Sequence, residues 1–333
     1  MIDAPVDSGA FDVGTDASDG ATPDVGGPDA AMDASLDAQV DAGPCESSPR
    51  IVGGGGFSAI ATHATSPMMV GVGDLTTGFD GDLFAHDVVG LGASGDRIIR
   101  LGSDGSVSVF ATPADSSFCT ANQLAFDPTL GLVIYDIPQN SLIAVDDAGA
   151  VATTAPTLGL SGGGSCTDTG VIGLTTRSAG GFWVGSPAMD RLYAFDAGTR
   201  TEIASVTDPF RIEEAPDGSV YVLSEQRILH VTTEGASIGT VEVFFDAAPW
   251  LVSGLEVGPS GEVWISAVRD GLGLVAQLEA GASTLVAECI PGIVTDVELA
   301  TSSSGSGTSL YVPSVGASVV EHDDDDVIYE ITR

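Results

Sequence analysis

Asp74, Gln123, Gly173, Arg211, Gly254 and Asp296 share one register of a recurring pattern, counted back from a series of glycine turns. Two carboxylates, an amide and a guanidinium at equivalent places can converge on a small polar ligand. They can equally pair with one another and with water. The adjacent register reads Gly73, Asn122, Ile172, Phe210, Ser253 and Thr295. From the two registers, Asp74, Asn122, Arg211 and Asp296 are the candidate ligand-binding residues; no catalytic residue and no metal set is assigned.

Other chemistries find little support. His86 stands beside Asp87, which suggests a base and its orienter, yet neighbouring strand residues face opposite sides and cannot readily share a pocket. His230 is expected between packed sheets, and His63 and His322 belong to no motif. All ten cations are arginine. The absence of lysine excludes a Walker-type phosphate loop, a Schiff base and a lysine general base. There is no G-x-S-x-G nucleophile elbow, and the four consecutive carboxylates Asp323–Asp326 read as a solvated loop, with calcium attraction as the alternative.

The net charge of −37 disfavours nucleic acid and anionic membranes as partners. A protein, a glycan or a small molecule remains as partner, and a monomer is expected. No cofactor is expected, a divalent cation being the one alternative. No apolar run reaches the length of a membrane helix. Residues 1–49 hold ten Asp, one Glu and no cation, spaced by Ala, Gly, Pro, Ser and Val. Such a segment has nothing to bury and should be a disordered, extended tether ahead of a folded domain at 50–333. No signal peptide is visible at Met1, so an export signal is expected to have been removed or to lie upstream. Four cysteines without zinc spacing fit an oxidising, extracellular, cell-surface or periplasmic location.

The elements that must position these residues announce themselves as a repeat. Asp82–Ala85, Gly131–Ile134, Gly181–Val184, Ser219–Val222, Glu262–Ile265 and Ser309–Val312 are six versions of one apolar strand, 38 to 50 residues apart. Each is preceded by a shorter run and a glycine turn and followed by further strands, beginning at Arg97, Ser141, Arg191, Arg227, Leu274 and Val327. A period of that length with four antiparallel strands per unit predicts an all-β, six-bladed propeller. The sixth unit lacks a fourth strand of its own, so Ser58–Thr62 is expected to close the ring against Val327–Thr332, with Phe57, Ala59, Ile60 and Ala61 at least partly buried. The first blade's inner strand is expected at Met68–Val72. Cysteine positions in the connections then predict the pairs Cys119–Cys166 and Cys45–Cys289.

Asp82–Asp87 with Arg97–Leu101 and Asp104–Val107, and Gly181–Val184 with Asp190–Asp196, carry a likeness to known repeats. The sequence resembles six-bladed propellers of the broad NHL-repeat and regucalcin/gluconolactonase-like superfamily over about residues 51–333. The leader resembles Asp/Ala-rich linkers of bacterial surface proteins. The likeness implies the fold, and for lactonase-like members a divalent metal held by Asp, Asn or Glu in the register of which only Asn122 matches. That single match argues for an exported, non-enzymatic binding or scaffold module. A metal-dependent hydrolase or lactonase of the regucalcin/gluconolactonase type is the alternative.

Overall fold

Leu83-Phe84-Ala85 shows why this chain builds sheets that are apolar on both faces. Leu83 and Ala85 enter one layer with Tyr311 and Ile328, while Phe84 between them enters another with Leu132 and Ile134. Successive strand residues point to opposite faces, so a sheet sandwiched between two others needs apolar residues at every position. The core accordingly consists of six layers, each lying between consecutive blades.

The computed structural model describes Cys45 and residues 48–88, 96–112, 123–136, 140–155, 158, 160, 173–233, 239–305, 307–316 and 326–333. These belong to one compact unit, Asp41–Arg333. The tether expected at 1–49 falls almost wholly outside the described residues, as do Asn122, Cys119, Cys166, His322 and Asp323–Asp325.

The architecture is a six-bladed β-propeller of four-stranded antiparallel blades. From the centre outward, blade 1 is Val72–Thr77, Leu83–Asp87, Arg97–Leu101 and Val107–Ala111. Blades 2, 3, 4 and 5 begin with inner strands Ala125–Asp127, Leu174–Thr176, Pro209–Glu214 and Leu251–Val257. Blade 6 has a divided inner strand, Ile293–Val294 and Glu298–Thr301, both paired with Thr308–Val315.

The ring closes through the N-terminal segment. Ala59–Thr65 pairs antiparallel with Val327–Thr332, in register Ile60↔Ile331 and Thr65↔Val327. Ala64 is buried with Tyr311 and Ile328 of blade 6 against Leu75 and Ile99 of blade 1. Phe57 packs edge-on against Trp264 with ring centroids 5.4 Å apart. Ala59 and Ala61, expected to be partly buried, are exposed, because in this half of the outermost strand only Ile60, between them, turns toward a neighbouring layer. The first inner strand begins later than expected. Asp87 Oδ1 accepts the amides of Val70 and Gly71 at 2.9 and 3.1 Å, which turns the chain before Val72.

An unexpected strand, Arg50–Ile51, adds a fifth member to blade 5 by pairing with Glu288 and Ala287. Arg50 Nε donates to Glu288 at 2.9 Å, and Arg269 reaches the other oxygen at 3.3 Å. The adjoining Cys289 forms a disulfide with Cys45, Cα to Cα 5.5 Å, and joins positions 244 residues apart. Cys289 lies within the blade's outer strand Ala282–Ile290, not in the connection after it, because its left-handed backbone (φ 60°) sits where that strand bulges. Cys45→Ser is expected to cost about 2–5 kcal/mol. The check is a denaturant melt of the variant and wild type with and without reductant; equal midpoints in all four samples would contradict it.

Candidate functional site

The inner strands of four blades are interrupted at the same depth. Pairing skips Gly73 in blade 1, Phe210 in blade 4 and Ser253 in blade 5, and Thr295 lies in the gap of the divided strand of blade 6. A bulged residue leaves the ladder and frees its carbonyl. Three of these carbonyls are collected by Arg211. Its Nη2 donates to Gly73 O at 2.9 Å and to Thr295 O at 3.1 Å, and its Nε donates to Ser253 O at 3.2 Å. Its Nη1 contacts the carboxylate of Asp74 and lies 3.7 Å from Asp296 Oδ1.

All three charged residues are buried. Asp74 Oδ2 also accepts the amide of Leu124 at 2.5 Å, and Asp296 Oδ2 that of Leu75 at 2.7 Å. Blade 5 has Gly254 in this register because a Cβ there would meet the Asp296 backbone at 2.6 Å. Burial raises the Asp296 carboxyl, and the Arg211 charge works against that rise. The structure thus joins Asp74, Arg211 and Asp296, which pair with one another. Gln123, in the same register, accepts the amides of Leu174 and Ile212, each at 3.0 Å, and so ties blades 2, 3 and 4.

Two residues farther along the same strand face, about 6–7 Å, lies a tier that sequence reasoning missed. It holds Glu213, Glu256 and Glu298 on blades 4, 5 and 6. All three are half-buried, touching the lumen while walled by protein. Glu213 accepts from Gln123 Nε2 and from Thr175 Oγ1, the latter at 3.3 Å. Glu298 accepts the amide of Thr77 at 2.7 Å. The Glu256 and Glu298 carboxyls interact directly, which raises the first and lowers the second.

Desolvation is the main force on all three, with repulsion from neighbouring carboxylates added. Glu213 and Glu256 are pushed well above the carboxylate range. Glu298 is pushed up to about 8 by burial, against the hydrogen bonds from Thr77 and with the Asp296 charge adding to the rise. Two neighbouring carboxyls that keep their protons above the ordinary carboxylate range are equipped for general acid–base work. The signal was present as Glu at a fixed step after Arg211, Gly254 and Asp296.

The expected histidines play other parts. Asp87 pairs with Arg97 Nε at 2.8 Å, while His86 is buried on the opposite face. His230 meets Ser219 Oγ at 2.9 Å and stacks on Tyr221. A divalent metal, which the resemblance implies, does not fit the first tier, because a protein cation already takes its oxygens. Among the described residues no group of three His, Cys, Asp or Glu is arranged to hold a metal ion.

No family model and no curated protein matches the chain. Solved structures do. A gluconolactonase from Xanthomonas campestris superposes with TM-score 0.62 at 16% identity, covering 85% of this chain and 94% of its own. A calcium-binding regucalcin from Agrobacterium tumefaciens gives 0.58 at 18%, covering 83% and 93%. The fold is that of the gluconolactonase- and regucalcin-like propellers. A luciferin-regenerating enzyme gives 0.57 at 12%, covering 83% and 95%. The expectation of a non-enzymatic binding or scaffold module is corrected by these neighbours, which are mostly enzymes. Its premise, a single suitable side chain in one register, overlooked the glutamate tier.

Proposed function

We propose that this propeller is a lactonase-type hydrolase whose proton chemistry is carried by Glu298 and Glu256. The observation that carries the reading is a tier of three half-buried glutamates on neighbouring inner strands, of which Glu256 and Glu298 interact and are both raised by burial. Ionised Glu298 takes a proton from water as its oxygen bonds to the carbonyl carbon of a cyclic ester. The tetrahedral adduct then breaks its ring C–O bond, and Glu256 gives its proton to the departing alkoxide. The product is the open hydroxy acid, and the proton taken by Glu298 returns to Glu256 across their contact. Glu213, fixed by Gln123 and Thr175 and held neutral by its burial, completes the tier as a polar wall beside the pair.

The Cys45–Cys289 bond supports an oxidising, exported location for this activity. No helix among the described residues is long and apolar enough to cross a membrane. The test is proton release from a panel of five- and six-membered lactones, wild type beside Glu298→Gln. Turnover that falls about 10²–10⁴-fold in the variant is expected. No turnover of any lactone above buffer, or equal turnover by both proteins, defeats the reading.

A further inference from the structure

We infer that the Arg211 guanidinium is a built-in cation filling an oxygen shell that would otherwise take a divalent metal ion, so that removing this one side chain uncovers a metal site. The shell consists of five oxygens from three blades: the carboxylates of Asp74 and Asp296 and the carbonyls of Gly73, Ser253 and Thr295. All-oxygen shells with carboxylates and free carbonyls suit hard divalent cations. The carbonyls are available because pairing skips Gly73 and Ser253, and because Thr295, in the gap of the divided strand, meets its neighbour only through its amide, which donates to Pro313 O at 3.2 Å.

Charge points the same way. Arg211, Asp74 and Asp296 are at most 3% exposed. One guanidinium faces two carboxylates, so the buried set is one positive charge short of neutrality when both are ionised. A divalent ion in the vacated space would supply both charges. Without one, the two carboxylates would be left buried and unpaired, which is strongly destabilising. Arginine holds this place well because its fork reaches both carbonyls and carboxylates and stays charged at all ordinary pH values. The cation that clasps blades 1, 5 and 6 at the axis is therefore covalently part of blade 4.

The experiment compares wild type, Arg211→Ala and the double variant Arg211→Ala/Asp74→Asn, each titrated with Ca²⁺ and Mn²⁺ by calorimetry and melted in chelator or in millimolar cation. The acidic leader gives all three the same background uptake, so differences between them are the readout. Wild type should melt at one temperature in chelator and in cation. Arg211→Ala should melt at least about 10 °C lower in chelator, recover much of that loss in cation, and bind one more ion per chain than the double variant. If Arg211→Ala is soluble only when expressed with added cation, the inference is supported in another form. It is overturned if chelation lowers the melting temperatures of wild type and Arg211→Ala by the same amount. It is also overturned if Arg211→Ala is unstable and no cation rescues it. None of these readouts depends on lactone turnover, so the inference and the proposed activity can fail separately.

Discussion

A chain beginning at Ser66 is expected to aggregate or unfold, while one beginning at Pro44, which keeps every described residue, should melt as the full chain does. The shorter chain loses the whole closing strand Ala59–Thr65 and bares the backbone edge of Val327–Thr332. It also loses buried Ala64 and Phe57, the Arg50–Glu288 pair and the disulfide at Cys289. The side chain of His63 goes with them, leaving the face of Tyr311 against which its ring packs at 5.0 Å. Together these losses rival the about 5–15 kcal/mol that keeps a domain folded, and an uncovered strand edge invites pairing between chains. Gel filtration and a thermal melt of the two truncated proteins provide the check. A monomeric, cooperatively melting protein from Ser66 onward would falsify closure as the source of ring stability.

The closure joint also shows what was legible in the sequence. The strands beginning at Arg97, Ser141, Arg191, Arg227 and Val327 could be read because blades packed on both faces need apolar residues on both faces of a strand, most plainly in Leu142–Val145 and Leu192–Phe195. The closing strand could be read from topology, since a four-stranded repeat with three strands at its end needs one from its beginning. The five-stranded blade could not, because Arg50–Ile51 is only two residues long and is held by an ion pair and a disulfide rather than by an apolar pattern. Glu330 was equally silent. Burial would raise its carboxyl, but hydrogen bonds from Ser303, Ser309 and Ser302 bring it down to about 2. Nothing in a Ser/Gly-rich turn announces that its hydroxyls converge on one acid.

The channel was half legible for a related reason. Register counting placed Asp74, Arg211 and Asp296 together because a propeller brings equivalent positions of every blade to one depth. It failed for the neighbouring register, where Gly73, Ser253 and Thr295 contribute main-chain oxygens rather than side chains. A carbonyl carries no residue-type signal, and a bulge is not written in hydrophobic periodicity. Judged by side chains alone, that register offered only Asn122, and the inference against catalysis followed from it.

Glu298 supplies the second large effect. If it acts as the base, lactone turnover should rise with pH through a limb near its carboxyl value of about 8, and Glu298→Gln should lose both the limb and about 10²–10⁴-fold of the rate. Stability should move the opposite way. In the folded protein this group keeps its proton up to about pH 8, whereas in the unfolded chain it ionises near the ordinary glutamate value of 4.5. Across that window the folded state binds more protons, so the contribution of Glu298 to stability falls as pH rises and is fully lost above the folded value. Removing the charge with glutamine removes that loss. The variant should therefore melt higher than wild type at pH 9 and differ little from it near pH 4, where both side chains are neutral. Catalysis and stability thus make opposite demands on one carboxyl, as expected where a strained charge is kept for its chemistry. Paired pH–rate and pH–melting profiles of the two proteins test this directly. An unchanged alkaline limb in the glutamine variant would move the base elsewhere, and a lower melting temperature at pH 9 would mean that the ionised group is stabilised by its surroundings.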